Sequence, residues 1–234
     1  MILKWLFDRI VALVGLLFLW PVLLVVAVLI KVKMPGGPVF FVQNRVGKGG
    51  RLFKCHKFRT MIPVRDNEGN EAKKGDKEWS TVSVAGDNRI TPLGATLRHY
   101  KLDELPGLWD VLIGNMSFVG PRPDVPGYAD KLVGDDRDVL KLRPGITGPA
   151  TLKYRLEDEY LANARELVSN LNVDLNLNSM SDQEVAVWYN DNVIYPDKVR
   201  LNCYYYRNYS FVKDIQMILC TVLGKHMEYG GETI

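Results

Sequence analysis

A run of 21 residues without a charged side chain, IVALVGLLFLWPVLLVVAVLI, lies between Arg9 and Lys31 and constrains the fold more than any other segment. As a straight helix rising about 1.5 Å per residue, it would be roughly 30 Å long, the thickness of the hydrocarbon core of a bilayer. Pro21 lies near the middle, where its ring clashes with the preceding turn and its nitrogen donates no hydrogen bond. The run therefore predicts a membrane-associated helix with a break at Pro21.

Three interpretations of this helix compete. A cleaved signal peptide is disfavoured, because the run is too long and no small-residue cleavage site follows it. A spanning helix fits the apolar character, and kinked spanning helices also contain proline. A re-entrant helix, which enters the bilayer and returns to the same face, fits basic residues at both ends, because Lys- and Arg-rich flanks are normally cytoplasmic. The pattern alone leaves the last two interpretations open; the basic flanking residues are Lys4, Arg9, Lys31 and Lys33.

Charge is distributed unevenly along the chain. The segment from Arg9 to Arg65, both included, has ten Lys or Arg residues and no acidic residue, although the whole chain has 30 basic and 27 acidic residues. A basic stretch beside an apolar helix is typical of a surface that faces anionic lipid or phosphorylated ligands, and an ordinary solvated face is the alternative. No recognised nucleic-acid-binding motif is present in the sequence, so we expect no nucleic-acid partner.

The cysteines indicate the redox compartment. Cys55, Cys203 and Cys220 are odd in number and far apart, which disfavours both a disulfide framework and a zinc site. A reducing, cytoplasmic setting fits such a chain best.

The residues after the apolar run predict a second unit. A Pro- and Gly-rich breaker ends the helix, and two strands at 39–43 and 51–58, with glycines between them, predict a β-hairpin. Residues 62–88 are polar and lack a sustained period, which predicts a mobile loop. We expect a membrane anchor over residues 1–34 and a mostly helical cytoplasmic domain over residues 35–234.

An acidic pair, Asp103–Glu104, opens an apolar helix that is predicted to run to Ile113. One interpretation is ordinary helix capping with a favourable helix dipole. The other is chemistry on phosphate, because cations near in sequence, such as Arg98 and Arg122, would lower the pKa of a carboxylate and keep it ionised. An ionised carboxylate serves a nucleophile or a Mg²⁺ ligand.

The chain resembles the bacterial sugar transferases known as monotopic polyprenol-phosphate phosphoglycosyl transferases. The similar segments, in the order of the family, include the proline-broken N-terminal helix and the C-terminal stretch YYYRNYSFVKDIQMILCTVLG. Three further segments lie between them: VFFVQNRVGKGGRLFKCHKFRTM, LRHYKLDELPGLWDVLIGNMSFVGPRP and LRPGITG. Because the transmembrane bundle of larger relatives is not found in this sequence, we expect the small, minimal catalytic form.

The resemblance implies a fold, a place and partners. The fold would be α+β: a re-entrant helix–break–helix in the membrane, followed by a mostly helical cytoplasmic catalytic domain with a short β-hairpin and amphipathic interfacial helices. The place would be the cytoplasmic face of the bacterial inner membrane, in contact with inner-leaflet phospholipid. The substrates would be a UDP-sugar and a polyprenol phosphate, such as undecaprenyl phosphate. A homodimer is left open, and the apolar stripe near the C-terminus could lie either at the interface or in the core.

The resemblance also implies a reaction and the residues that perform it. Asp103 would attack the β-phosphate of the UDP-sugar, UMP would leave, and the polyprenol phosphate would then take the phosphosugar from the aspartyl intermediate. Glu104 would be the second acid of the pair, and Asp103 and Glu104 would hold Mg²⁺. The expected contacts to phosphate or nucleotide are basic residues: Lys57, Arg59, Arg98, Arg122 and Arg143. A membrane-tethered scaffold without turnover is the alternative function.

Overall fold

The computed structural model of the chain describes residues 2–62, 89–171, 173 and 175–234. Helices predominate in this part of the chain, and its strands form three two-stranded pairs. The mixed, mostly helical fold that the sequence predicts is confirmed. Apart from Ile62, the predicted mobile loop at 62–88 lies outside the described residues.

Helix α1 runs from Ile2 to Lys33 as one helix with Pro21 inside it. The structure therefore keeps a single helix where two helices separated by a break were expected. The physical reason is that a proline ring removes one internal hydrogen bond, whereas the remaining turns of a 32-residue helix keep theirs. Among the described residues, α1 is the one helix long and apolar enough to cross a membrane, which fits membrane association.

A buried polar cluster, which we call the α1 polar cluster, joins the N-terminal end of α1 to the rest of the molecule. Lys4 Nζ donates to Asp214 Oδ2 at 2.9 Å, and Tyr205 Oη donates to the other oxygen of Asp214 at 2.6 Å. Asp8 accepts a hydrogen bond from Ser117 Oγ at 2.7 Å. Because Asp8 and Asp214 are both buried, these bonds replace the water that the carboxylates lose on folding.

The C-terminal end of α1 also packs on the rest of the molecule, through Ile30 and Met34, which are buried in a cluster with Phe58 and Leu97. Between the two ends, large apolar side chains are exposed, including Leu17, Phe18, Trp20 and Leu24. The helix thus packs on the rest of the molecule near both ends and around Ala12, and it exposes an apolar face along its length.

A β-hairpin follows α1, as the sequence predicts. Strand β1 (Phe40–Val46) pairs antiparallel with β2 (Leu52–Phe58), with Val42 opposite His56. The turn needs Gly49 and Gly50, whose φ angles of 71° and 78° are in the left-handed region that favours glycine.

Two helices then bracket the acidic pair. Helix α2 (Pro92–His99) begins with Thr91 as N-cap, whose side chain accepts from the Gly94 amide. A single 3₁₀ turn over Leu102–Glu104 follows, and helix α3 runs over Gly107–Ile113. The predicted start of this helix at Asp103 is therefore wrong by four residues.

A close approach of glycines brings two turns together behind the acidic pair. Strands β3 (Ser117–Val119) and β4 (Gly145–Thr147) pair in parallel. A Cβ atom at Gly120 would lie 2.2 Å from the Arg143 carbonyl oxygen, and one at Gly148 would lie 2.3 Å from the Gly120 carbonyl oxygen. Side chains there would push the two turns apart, so the approach requires glycine.

The C-terminal part is helical. Helices α8 (Tyr195–Arg207) and α9 (Phe211–Leu223) contribute Tyr205 and Met217 to the largest buried cluster. On α9, Met217 faces this core, whereas Leu219 and Val222 are exposed. The other α-helices and strands of the described residues are α4 (Pro149–Lys153), α5 (Glu157–Ala162), α6 (Ala164–Ser169), α7 (Asp182–Tyr189), β5 (Glu228–Tyr229) and β6 (Glu232–Thr233).

Candidate active site

One cleft collects residues from four separate stretches of the chain: the hairpin β1–β2, residues 104–116, residues 122–123, and residues 145–146 of β4. The lining residues are Arg45, Cys55, His56, Lys57, Glu104, Gly107, Met116, Arg122, Pro123, Gly145 and Ile146. Three residues predicted from the sequence are thereby brought together: Lys57, Glu104 and Arg122.

Glu104 lies between two cations. Its Oε1 accepts from Lys57 Nζ at 2.8 Å and from Arg122 Nη2 at 3.0 Å. Burial alone would raise the pKa of Glu104, but the charges of Arg122 and Lys57 outweigh burial and lower this pKa far below its ordinary value. In return, the charge of Glu104 raises the pKa of Arg122. Glu104 is therefore held ionised, as the sequence predicts for a carboxylate among cations.

Asp103 has the opposite environment. Its side chain is buried, and its Oδ1 has no hydrogen-bond partner among the described residues. Burial is the largest cause that raises the pKa of Asp103, and the charge of Glu104 raises it further. The cations Lys57 and Arg98 lower this pKa and only partly offset the increase. The expectation of a lowered pKa is wrong for Asp103, because desolvation outweighs the neighbouring cations.

Backbone conformation at Lys101 places the acidic pair. Its φ of 55° and ψ of 22° lie in the left-handed region, and it is the one non-glycine residue with positive φ in the described part of the chain. The residue lies between α2 and the 3₁₀ turn. Neither Asp103 nor Glu104 caps α3, whose N-cap position is Pro106 without a side-chain bond. The capping interpretation of the pair is thus not what the structure shows.

Two other basic residues predicted for the site, Arg98 and Arg143, do not line the cleft. Arg98 Nε donates to Thr60 Oγ1 at 3.1 Å, and its charge acts on Asp103. Arg143 is half-buried in the turn before β4 and does not line the cleft, although Gly145 does.

Arg59 binds backbone instead of the acidic pair. It is buried, and its guanidinium donates to the carbonyl oxygens of Met34, Gly37 and Pro38, the last at 2.7 Å. These contacts tie the end of α1 to the hairpin, and none of them reaches Asp103. A contact between Arg59 and substrate stays a prediction.

Sequence reasoning missed three polar residues at the cleft. Arg45 Nη1 donates to the Pro123 carbonyl oxygen at 3.0 Å, while its Nε is buried without a partner among the described residues. Asp110 is fully buried behind the cleft and binds His56. The one signal that could have revealed Asp110 was a carboxylate inside the apolar helix GLWDVLI.

The acidic pair fits a magnesium ion. Within the described ranges, no cluster of three or more His, Cys, Asp or Glu side chains could hold a metal. Mg²⁺, however, is usually bound by one or two carboxylates together with substrate phosphates, and it keeps several waters. The Asp103 carboxylate, whose Oδ1 has no partner among the described residues, and the neighbouring Glu104 supply two carboxylates, a donor set of that size.

Comparison with known proteins decides the family. The sequence matches the family model described as bacterial sugar transferase over residues 1–227. The chain belongs to this family. It is 42% identical over 144 residues to the UDP-glucose:undecaprenyl-phosphate glucose-1-phosphate transferase of Xanthomonas campestris pv. campestris, covering 60% of this chain and 28% of that protein.

Two further relatives carry names different from that of the Xanthomonas protein. This chain is 40% identical over 159 residues to the exopolysaccharide production protein ExoY of Rhizobium meliloti (strain 1021), covering 66% of this chain and 70% of that protein. It is 37% identical over 153 residues to the UDP-N-acetylgalactosamine-undecaprenyl-phosphate N-acetylgalactosaminephosphotransferase of Aeromonas hydrophila, covering 63% of this chain and 33% of that protein. The chain thus spans about a third or less of the two relatives that are named for their sugar.

Proposed function

We propose that this sugar transferase moves a sugar phosphate from a UDP-sugar to a polyprenol phosphate, such as undecaprenyl phosphate, and releases UMP. The transfer would be the first membrane step of glycan or exopolysaccharide assembly. One observation carries the proposal: a buried carboxylate oxygen of Asp103 without a described partner lies beside Glu104, which is bound by Lys57 and Arg122. Relatives named for the transfer of different sugars to undecaprenyl phosphate support it.

In the first step, Asp103 is the nucleophile. Its Oδ1 forms a bond to the β-phosphorus of the UDP-sugar, and the bond between that phosphorus and the bridging oxygen breaks. The electron pair stays on the oxygen of UMP, which leaves as an anion. Arg122 and Lys57 are placed to stabilise this charge, since preorganised cations lower the barrier where charge develops.

In the second step, an oxygen of the polyprenol phosphate attacks the same phosphorus, and the Asp103 carboxylate leaves. The product is a polyprenyl diphosphate sugar, and Asp103 is regenerated. Burial serves this cycle, because a poorly solvated carboxylate is a stronger nucleophile and water is kept from the intermediate.

Asp103 and Glu104 would hold Mg²⁺, which supplies charge compensation for the diphosphate when bound. Glu104 has a second effect on the site, since its bonds to Lys57 and Arg122 hold the two cations 2.8 Å and 3.0 Å from one oxygen. Both cations are thereby oriented before substrate binds.

The proposed membrane topology is re-entrant, with α1 as the anchor of residues 1–34 and residues 35–234 as the catalytic domain on the cytoplasmic face of the inner membrane. Support comes from the packing of α1, whose two ends both contact the same body: Lys4 binds Asp214, and Ile30 packs with Phe58 and Leu97. The exposed Leu219 and Val222 of α9 would contact inner-leaflet phospholipid.

A panel of UDP-sugars, assayed for UMP release with Mg²⁺ and undecaprenyl phosphate, tests the proposal. We expect one donor to give UMP and a sugar diphosphate lipid in equal amounts. Without the lipid, a single turnover should leave sugar phosphate on the peptide that contains Asp103, detected by mass spectrometry. A scaffold that binds headgroups without turnover would give no UMP with any donor.

A further inference from the structure

His56 and Asp110 form a hydrogen-bonded pair at the cleft, and the proposed reaction assigns no role to either residue. The two residues are 54 positions apart in sequence, on β2 and α3. Asp110 Oδ1 lies 2.8 Å from His56 Nδ1, and Asp110 Oδ2 accepts from the His56 backbone amide at 2.9 Å. The Asp110 side chain is fully buried, so both of its oxygens are committed to His56.

The pair fixes which nitrogen of the ring is available. A carboxylate beside Nδ1 requires the proton to be on Nδ1, which leaves Nε2 as the outward nitrogen. Nε2 has no hydrogen bond with any residue that the structure describes, whereas the ring lines the cleft and its side chain is 29% exposed. Asp110 therefore orients the ring through Nδ1, and Nε2 has no partner among the described residues.

The cleft that His56 faces is basic. The charged and titratable groups around it come from every neighbouring element: Arg45 on β1, Cys55 and Lys57 on β2, Glu104 on the 3₁₀ turn, Asp110 on α3 and Arg122 on the turn after β3. Apart from Asp110, three cations face one carboxylate. An anion is the ligand that such a wall attracts.

We propose that His56 contacts a substrate phosphate through Nε2, with Asp110 as its positioning residue. This inference rests on the proposed function, because UMP and the polyprenol phosphate are both phosphate monoesters. In the imidazolium form of the ring, with Nδ1–H bound by Asp110, Nε2–H is a charged donor to a phosphate oxygen. No proton is transferred and no bond breaks at His56.

Two variants separate this role from a purely structural one. His56→Asn keeps an amide donor near the position of Nδ1, and hence the bond to Asp110, but has nothing at the position of Nε2. His56→Gln can reach the position of Nε2 but does not match Nδ1. If His56 contacts phosphate, His56→Asn loses about 10–100-fold in kcat/KM with an unchanged melting temperature, and His56→Gln keeps more activity. If the pair only joins β2 to α3, His56→Gln loses more activity than His56→Asn.

A binding measurement gives an independent readout. The chain contains three histidines, so His99 and His226 serve as internal controls for NMR of ¹³C-labelled histidine side chains in the whole chain. We expect UMP, or a short-chain polyprenyl phosphate, to shift the His56 signal, while uridine and the free polyprenol leave it in place. The ligand that produces the shift identifies which phosphate His56 contacts.

The two outcomes are distinguishable from failure of the proposed function. If the wild-type protein releases UMP but His56→Asn matches it in kcat/KM, or no phosphate shifts the His56 signal, the inference is wrong and the reaction stands. If no UDP-sugar yields UMP, the proposed function fails, and the UMP and polyprenyl phosphate titrations still decide whether His56 contacts phosphate.

Discussion

Asp103 and Glu104 are adjacent in the chain, yet their pKa values are shifted in opposite directions. Burial raises the pKa of Asp103, whereas two bound cations lower that of Glu104 in spite of burial. Pairs of carboxylates with divergent environments commonly have different chemical roles. Here the carboxylate with the buried, unpartnered oxygen suits attack, and the one bound by cations suits positioning.

Replacing Asp103 by Asn should abolish turnover. The amide is nearly isosteric but does not act as a nucleophile, so we expect UMP release to fall by about 10³-fold or more. The melting temperature should not fall, because a neutral side chain is less costly to bury than a carboxylate. Asp130→Asn, at an exposed position, is the matched control and should keep wild-type activity. Normal turnover by Asp103→Asn would refute the assignment.

Replacing Glu104 by Gln should change the pH profile as well as the rate. The charge of Glu104 raises the pKa of Asp103, so its removal lowers that pKa. A nucleophile must be ionised, and activity is lost as pH falls through the Asp103 pKa. The acid limb of kcat/KM should therefore move to lower pH, while kcat falls about tenfold because the acceptor that Lys57 and Arg122 share loses its charge. An unmoved acid limb would show that Asp103 is not the titrating group.

Lys101 provides a test of backbone strain. A side chain in the left-handed region costs roughly 1–2 kcal/mol, which glycine avoids. We expect Lys101→Gly to be more stable to urea than Lys101→Ala by about 1 kcal/mol, since both variants remove the charge and only one relieves the strain. Equal stabilities would indicate that the φ of 55° is not maintained in solution.

Membrane topology can be tested with a membrane-impermeant maleimide. Ile2→Cys, Lys33→Cys and Phe18→Cys are made in a background that lacks the native cysteines, since all three positions are exposed. A re-entrant helix predicts that positions 2 and 33 are labelled in inside-out vesicles and not in intact spheroplasts. Position 18 should be protected in both. Labelling of positions 2 and 33 from opposite sides would establish a spanning helix.

Local signals made part of the fold predictable. The hairpin follows from alternating strands around glycines, and α2 begins where Thr91 and Pro92 place it. Both signals act within a few residues, so they do not depend on the rest of the chain. The start of α3 was predicted wrongly, because the left-handed residue Lys101 and the 3₁₀ turn interrupt an apolar pattern that looked continuous.

Parts of the site depend on distant contacts that spacing does not reveal. The cations near Asp103 in sequence suggested a lowered pKa, but its burial comes from tertiary packing and reverses the shift. Similarly, Asp110 was not predicted as a site residue, because its contact with His56 joins positions 54 apart in the sequence. For Glu104, by contrast, the nearby cation Arg122 does make the expected contact.

The α1 polar cluster has a practical consequence for producing the protein. Deleting α1 to obtain a water-soluble fragment would remove Lys4 from Asp214, which is 1% exposed, and Asp8 from Ser117. It would also strip Ala12 from its contacts with Cys55, Val111 and Met116, directly under the cleft. Helix α1 is thus part of the packing beneath the cleft, and we expect a fragment without it to be less stable than the whole chain.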